Sequence, residues 1–168
     1  MMPDPLHPAI VHLPIALAML LPGLAILAIV TIQKDLFPAR LWGLIVLLQA
    51  ILVGSTWLAM ETGEEQEDRV ERVVAERHIE THEEAAERFV LLTGLALLAV
   101  GAGLLPDKRG AVGRIVGTVA TLVVFAAATS VGHSGGELVY KYGAASAYVD
   151  GQGASDQAAG HDEHDDDD

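Results

Sequence analysis

Apolar residues gather into four blocks, about 9–32, 40–60, 89–105 and 111–132, each with few or no charged residues. A helix needs roughly 20 apolar residues to cross the hydrocarbon core of a bilayer. The blocks therefore predict four membrane-spanning helices. The third block is the shortest, and it gains length from the helical stretch before it. The connections at 33–40 and 105–110 are short and carry proline, so consecutive spans should run antiparallel. Span two holds Gln49, Ser55 and Thr56, span three Gly94, Gly101 and Gly103, and span four Gly113-x-x-x-Gly117. Small and polar residues inside such helices belong against neighbouring helices rather than against lipid.

The pattern changes at Glu64. From there to Arg88 the chain is rich in Glu and Arg, and Thr62 with Glu65 three positions on reads as a capping box. Val70, Val74, Thr81, Ala85 and Phe89 form an apolar stripe at helical spacing, with His78 and His82 in the same arc. The expectation is one polar helix over 64–88, outside the membrane, running unbroken into span three. Gly135 and Gly136 read as the end of span four, followed by an interfacial segment with Tyr140, Lys141 and Tyr142. Trp42 and Trp57 also read as interface anchors. The fold class is all-α: an integral membrane four-helix bundle over residues 1–143, with an extended amphipathic helix leading into the third span. Residues 144–168 read as a disordered acidic tail.

Charge then orients the bundle. The formal net charge of −13 comes largely from that tail and from the stretch 61–87, so there is no basic surface for nucleic acid. Lys34, Arg40, Lys108, Arg109 and Arg114 lie in or beside the two short loops, close to span ends. The opposite side has as many basic residues, but spread over a longer stretch. Basic density favours cytoplasmic short loops, with both termini on the periplasmic side of a bacterial inner membrane. The N-terminus lacks the basic region of a signal peptide, and Asp4 precedes the first apolar block, so the first span is expected in the mature protein.

Candidate chemistry rests on histidine. There is no cysteine, which removes thiolate sites and covalent haem attachment. His7, His12, His78, His82 and His133 all fall at span ends, and the crossing count brings them to one face. A titratable ligand at a membrane boundary is costly and calls for a reason. Neutral imidazole is a common axial haem ligand and a good ligand for Cu, Fe, Zn or Ni. The leading expectation is haem b held by His12, His82 and His133, with His78 and His7 behind them. The competing one is a bare Cu, Fe or Zn ion on His78 and His82, completed by His133 or His12 and a carboxylate such as Glu61, Glu83 or Glu137. Glu83 or Glu137 is also a candidate to orient an imidazole. Leu13, Leu17, Trp57, Leu58 and Phe89 would supply apolar walls. Any single histidine of this kind is more often a cap or a satisfied core residue, and a cofactor-free structural subunit is the third reading.

The segment Leu6-His7-Pro8-Ala9-Ile10-Val11-His12-Leu13-Pro14-Ile15-Ala16-Leu17 resembles the opening motif of the bacterial membrane proteins grouped as domain of unknown function 2231. Gly132-His133-Ser134-Gly135-Gly136-Glu137-Leu138-Val139-Tyr140-Lys141-Tyr142-Gly143 is similar to that family's closing motif. Thr62-Gly63 and His82-Glu83 match internal elements, and Leu13 stands where the family usually has Phe. The resemblance spans roughly 5–143, leaves out the acidic tail, and singles out His7, His12, His82, His133, Gly135, Gly136 and Tyr140. Relatives of this type occur fused to c-type cytochrome or Rieske-like domains. That implies respiratory electron transfer in a larger membrane complex, with a periplasmic carrier as partner and no substrate pocket in this chain.

Overall fold

The computed structural model describes residues 6–148. Six α-helices follow one another: α1 (His7–Ile10), α2 (His12–Gln33), α3 (Trp42–Glu64), α4 (Glu67–Val70), α5 (Glu76–Gly101) and α6 (Asp107–Tyr140). Short 3₁₀ turns, Ala39–Leu41 and Ala102–Leu104, lead into α3 and out of α5. Four stretches are long and apolar enough to cross a membrane: His7–Gln33, Ala39–Glu64, Glu76–Leu104 and Asp107–Tyr140. They pack as a ring in which α2 adjoins α3, α3 adjoins α5, α5 adjoins α6, and α6 returns to α2. This is an up-down-up-down bundle. The starts of α2 and α5 and the ends of α3 and α6 share one end, called here the histidine end, and the two short loops share the other.

The pattern of size explains the packing. In α2 the inward positions are Pro14, Ala18, Leu21, Pro22, Ala25 and Ala28, spaced three and four apart. Outward positions include Met19, Leu20, Ile26 and Leu27. In α2 and α6 most large apolar residues face outward and small ones face the bundle, whereas α3 and α5 also bury Trp42, Ile45, Leu52 and Phe89. Helix backbones then approach closely. A Cβ on Gly113 would collide with the backbone of Ala102 and Gly103, and one on Gly117 would lie 2.9 Å from the Val100 Cα. Trp42 is fully buried, packs over Gly103 and donates from Nε1 to the Val100 carbonyl at 2.8 Å. The expected interface role thus fails for Trp42. It is an internal strut, made possible because Gly103 has no side chain. Trp57, at 56% exposure, faces outward as expected.

Polar groups inside the bundle are mostly tied to neighbouring backbone, the exception being the Gln49 Oε1, which has no partner among the described residues. Gln49 is fully buried and donates from Nε2 to the Thr93 carbonyl at 3.0 Å, linking α3 to α5. Thr56, Thr93, Thr118 and Thr121 return their hydroxyl protons to carbonyls one turn earlier in their own helices. The proline pair at the N-terminus has a different effect. Pro14 has no N–H for the Ile10 carbonyl, so the helical ladder is interrupted at Val11, and α1 forms a separate first turn that reaches α3.

The polar stretch departs from expectation. It is not one helix over 64–88. α3 runs through Gly63 to Glu64, and Thr62 is no cap; its hydroxyl bonds back to the Leu58 and Ala59 carbonyls. The chain then turns through α4, becomes extended at Ala75 and starts α5 at Glu76. The break lets Val74 and Ile79 bury together with Leu138 and Ala144, with Val70 and Tyr142 alongside. An uninterrupted helix would have carried these side chains into water. Thr81 is accordingly exposed, and the buried line in α5 runs through Ile79 and Phe89.

Span four departs in the opposite sense. α6 does not stop at Gly135 and Gly136 but continues to Tyr140. The chain reverses at Gly143, whose φ of 76° suits glycine, and Ala144 donates to the Leu138 carbonyl at 2.9 Å. Tyr148 donates to the Gln66 side chain at 2.8 Å and lies under the Arg69 guanidinium, so order extends past the expected start of the tail at 144. The rest of the tail, including His161 and His164, lies outside the described residues.

Two glycines of the same type should respond oppositely to added volume. Gly113→Val should lower thermal stability in detergent by at least about 2 kcal/mol, because the α5–α6 contact cannot open locally. Gly54→Ala, with nothing within 4 Å, should be neutral or stabilising by up to about 1 kcal/mol. Circular-dichroism melts of both variants check this.

Candidate functional site at the histidine end

Two of the five histidines are built into the bundle. His7, in the first turn, directs Nδ1 at the Ala59 carbonyl of α3 at 2.8 Å, with the Thr62 hydroxyl 3.4 Å away. A carbonyl can only accept, so the proton sits on Nδ1 and Nε2 keeps its lone pair. The ring rests on Gly63, where a Cβ would come within 3.3 Å of it. His82, in α5, places Nδ1 2.9 Å from the Ser134 hydroxyl of α6. Ser134 gives its own proton to the Val131 carbonyl at 3.0 Å and must accept from the imidazole. His82 is therefore also protonated on Nδ1, with Nε2 free. Its ring sits on Gly135, where a Cβ would lie 3.1 Å from Cε1.

The two rings thus repeat one arrangement. Each is half-buried, each has one nitrogen satisfied by the facing helix, and each lies on a glycine of that helix. They are near enough for a positive charge on one to act on the other. Nδ1 anchored and Nε2 open is the state in which histidine commonly serves as a ligand.

The remaining candidates are placed differently. His12 and His133 are exposed on the outer surface of the bundle. His78 is half-buried but engaged elsewhere: its ring stacks on Tyr142 at 3.7 Å between centroids and 14° between planes, and its Nε2 accepts from Arg77 at 3.3 Å. Glu137 pairs with Lys141 at 3.0 Å on the aqueous surface, and Glu61 is exposed. Glu83 is half-buried and close enough to Glu64, Glu67, Glu71 and Glu87 to feel their charge. The groups that orient the anchored imidazoles are thus a backbone carbonyl and a serine, not Glu83 or Glu137. Among the described residues no three His, Asp or Glu side chains form a group that could hold a metal ion. Of the expected apolar walls, Phe89 is buried in the main core with Leu17 packed against it, whereas Leu13, Trp57 and Leu58 are largely exposed. Tyr140 is 91% exposed.

Sequence reasoning ranked His7 last and passed over Ser134, Thr62 and Gly63 as site residues. The available signal was the pairing of motifs. Thr62-Gly63 is the seat of His7, and Ser134-Gly135 is the seat of His82, so each short motif makes sense only with its histidine.

The fold and this pair define a multi-pass membrane protein with two anchored imidazoles at one end of a four-helix bundle. Residues 3–147 match the family described as predicted membrane protein, domain of unknown function 2231, and the chain belongs to that family. Neither a curated protein nor a solved structure matches the chain.

The anchoring can be tested without a ligand. Ser134→Ala should remove one acceptor of the His82 Nδ1–H, with the Val131 carbonyl still in reach, and cost about 1 kcal/mol, while Ser130→Ala, at an exposed position, should cost little. Denaturation in detergent reads the cost. Nitrogen-15 NMR of labelled histidine should find His7 and His82 as neutral Nδ1–H tautomers in the wild type.

Proposed function

We propose that this protein is a membrane-bound electron-transfer protein holding haem b through His7 and His82 at its histidine end. One observation carries the reading: two imidazoles, from the first turn and from α5, are each anchored through Nδ1 and each keep Nε2 for a ligand. Haem brings four nitrogens of its own, so two imidazoles complete its iron, whereas a bare ion needs more protein donors than the pair supplies. Bound haem would supply reversible one-electron chemistry. The chain's own part is to hold the two rings at fixed orientation, through the Ala59 carbonyl and Ser134, and to fix their protonation. Gly63 and Gly135 let the rings lie against the helices.

The same reading sets the surroundings. Between 61 and 88 there are eleven acidic and four basic side chains, all at the histidine end. Such a surface favours a partner with a basic face, as expected for a periplasmic c-type cytochrome or a Rieske-like carrier. Basic residues at the short loops favour a cytoplasmic position for that end, with both termini periplasmic in a bacterial inner membrane. The protein acts on this view as an electron carrier or a subunit of an oxidoreductase complex, without a substrate of its own.

The purified protein in detergent should show a Soret band that sharpens on reduction, with resolved α and β bands. His7→Ala and His82→Ala should each lose most of the bound haem, while His12→Ala and His133→Ala should keep it. Stoichiometric Cu, Fe or Zn without a Soret band would instead assign a non-haem site. Absence of both would leave the imidazoles as structural ties between helices.

A further inference from the structure

At the opposite end, α5 and α6 border a shallow groove of about 470 Å³ that lies open along the flank of the bundle. That falls within the roughly 300–1,000 Å³ range of small-molecule sites. Ala99, Ala102, Gly113 and Val116 line it, and Lys108 and Arg109 border it through the apolar stems of their side chains. The groove has a physical origin. Gly113 brings the α6 backbone against Ala102, and the small side chains of Ala99 and Ala102 leave space on the lipid side of that contact. Leu104, Leu105, Val112 and Ile115 nearby are all exposed, as residues facing acyl chains are.

The two basic residues beside the groove are uncommitted. Lys108 and Arg109 are exposed and make no ion pair or hydrogen bond among the described residues. Arg114, by contrast, donates to the Gly103 carbonyl at 2.9 Å and closes the turn. Asp107 is the carboxylate of this turn, outnumbered by the two free cations beside it. α6 begins at Asp107, and its 34 residues point the positive end of the helix the same way. An apolar slot on the membrane flank with free cations at headgroup level fits an amphiphile with an anionic head.

We propose that this groove is a binding site for an anionic phospholipid, with one acyl chain against Ala99, Ala102, Gly113 and Val116 and the phosphodiester on Lys108 and Arg109. The occupant is a membrane lipid rather than a soluble anion, because the apolar slot is continuous with the lipid-facing surface. A lipid held there would lie over the contact of Gly113 with the Ala102 and Gly103 backbone. The site is independent of the histidines and of any cofactor there.

Native mass spectrometry of the full-length protein, with phosphatidylglycerol and phosphatidylcholine of equal chain length in mixed micelles, tests the proposal. The wild type should retain one phosphatidylglycerol at least tenfold better than phosphatidylcholine. Two basic side chains near an anionic headgroup contribute roughly a ten- to thirtyfold preference. Lys108→Gln with Arg109→Gln, on exposed positions that leave the core intact, should abolish the preference. Ala99→Phe should expel the lipid with both charges in place. Equal retention of the two lipids by the wild type would overturn the proposal, as would a preference surviving in the double variant. Glycerophosphate displacing the lipid at equal concentration would also overturn it, by assigning the binding to the cations without the groove.

Discussion

The structure depends on how closely its helix backbones can approach one another. In lipid, moving a leucine from the membrane into the bundle gains little, because both surroundings are apolar. What remains is dispersion between surfaces in contact, and it falls off steeply with any gap. The α5–α6 pair meets this constraint with glycine. Gly113 and Gly117 lie against the backbone from Val100 to Gly103, and Trp42 fills the remaining space over Gly103. The Trp42 indole N–H then ties α3 to the Val100 carbonyl, so three helices are fixed at one level. Gln49 repeats this half-way along, joining α3 to α5 through the Thr93 carbonyl. Each polar tie uses a backbone carbonyl as acceptor, an arrangement that introduces no charge into the membrane.

The histidine end follows the same logic with a different residue. Imidazole is too large to lie between close helices unless a side chain is missing opposite it. Gly63 and Gly135 provide that vacancy, and the adjacent Thr62 and Ser134 provide polar neighbours. Three glycines between 132 and 136 lie within a continuous helix, each costing about 1 kcal/mol against alanine in helix propensity. Packing accounts for Gly135, which meets His82, while Gly132 and Gly136 have nothing within 4 Å. Those two leave an open strip of backbone beside the exposed His133, and no contact among the described residues requires it.

The four spans and their antiparallel order were legible because runs of about 20 apolar residues have few uses other than crossing a bilayer. The course of the chain between spans two and three was less legible. Helical periodicity places Val70, Val74 and Phe89 on one stripe whether or not the helix is continuous, since periodicity records spacing and not direction. The turn at 71–75 exists because Leu138 and Ala144, more than sixty residues away, offer Val74 and Ile79 an apolar surface. A local pattern carries no trace of such a partner. The histidines show the same limit. Their sharing of one end follows from counting crossings, but which rings point inward depends on helix rotation. His7 lies in the first turn ahead of Pro14, where the backbone keeps helical dihedrals through Val11, and Pro14 read only as a tolerated proline.

The two ends of the molecule differ in kind, and the difference bears on any role it has. The histidine end carries most of the charged residues outside the tail, and it is covered by a small second cluster in which Val74, Ile79, Leu138 and Ala144 meet. Its acidic surplus lies on α4, on the turn that follows and on the first turns of α5, within reach of Glu83. Negative charge near a redox centre stabilises the oxidised, more positive state, and it also attracts a cationic partner. Both effects would act together on the proposed haem, lowering its potential while steering a basic carrier toward the same face. The loop end has the opposite charge and a groove open to lipid, so a tie to the bilayer there would not compete with docking at the other face. On the proposed reading, separating the two in this way would let the histidine end receive and release a soluble partner while the bundle stays fixed in the membrane.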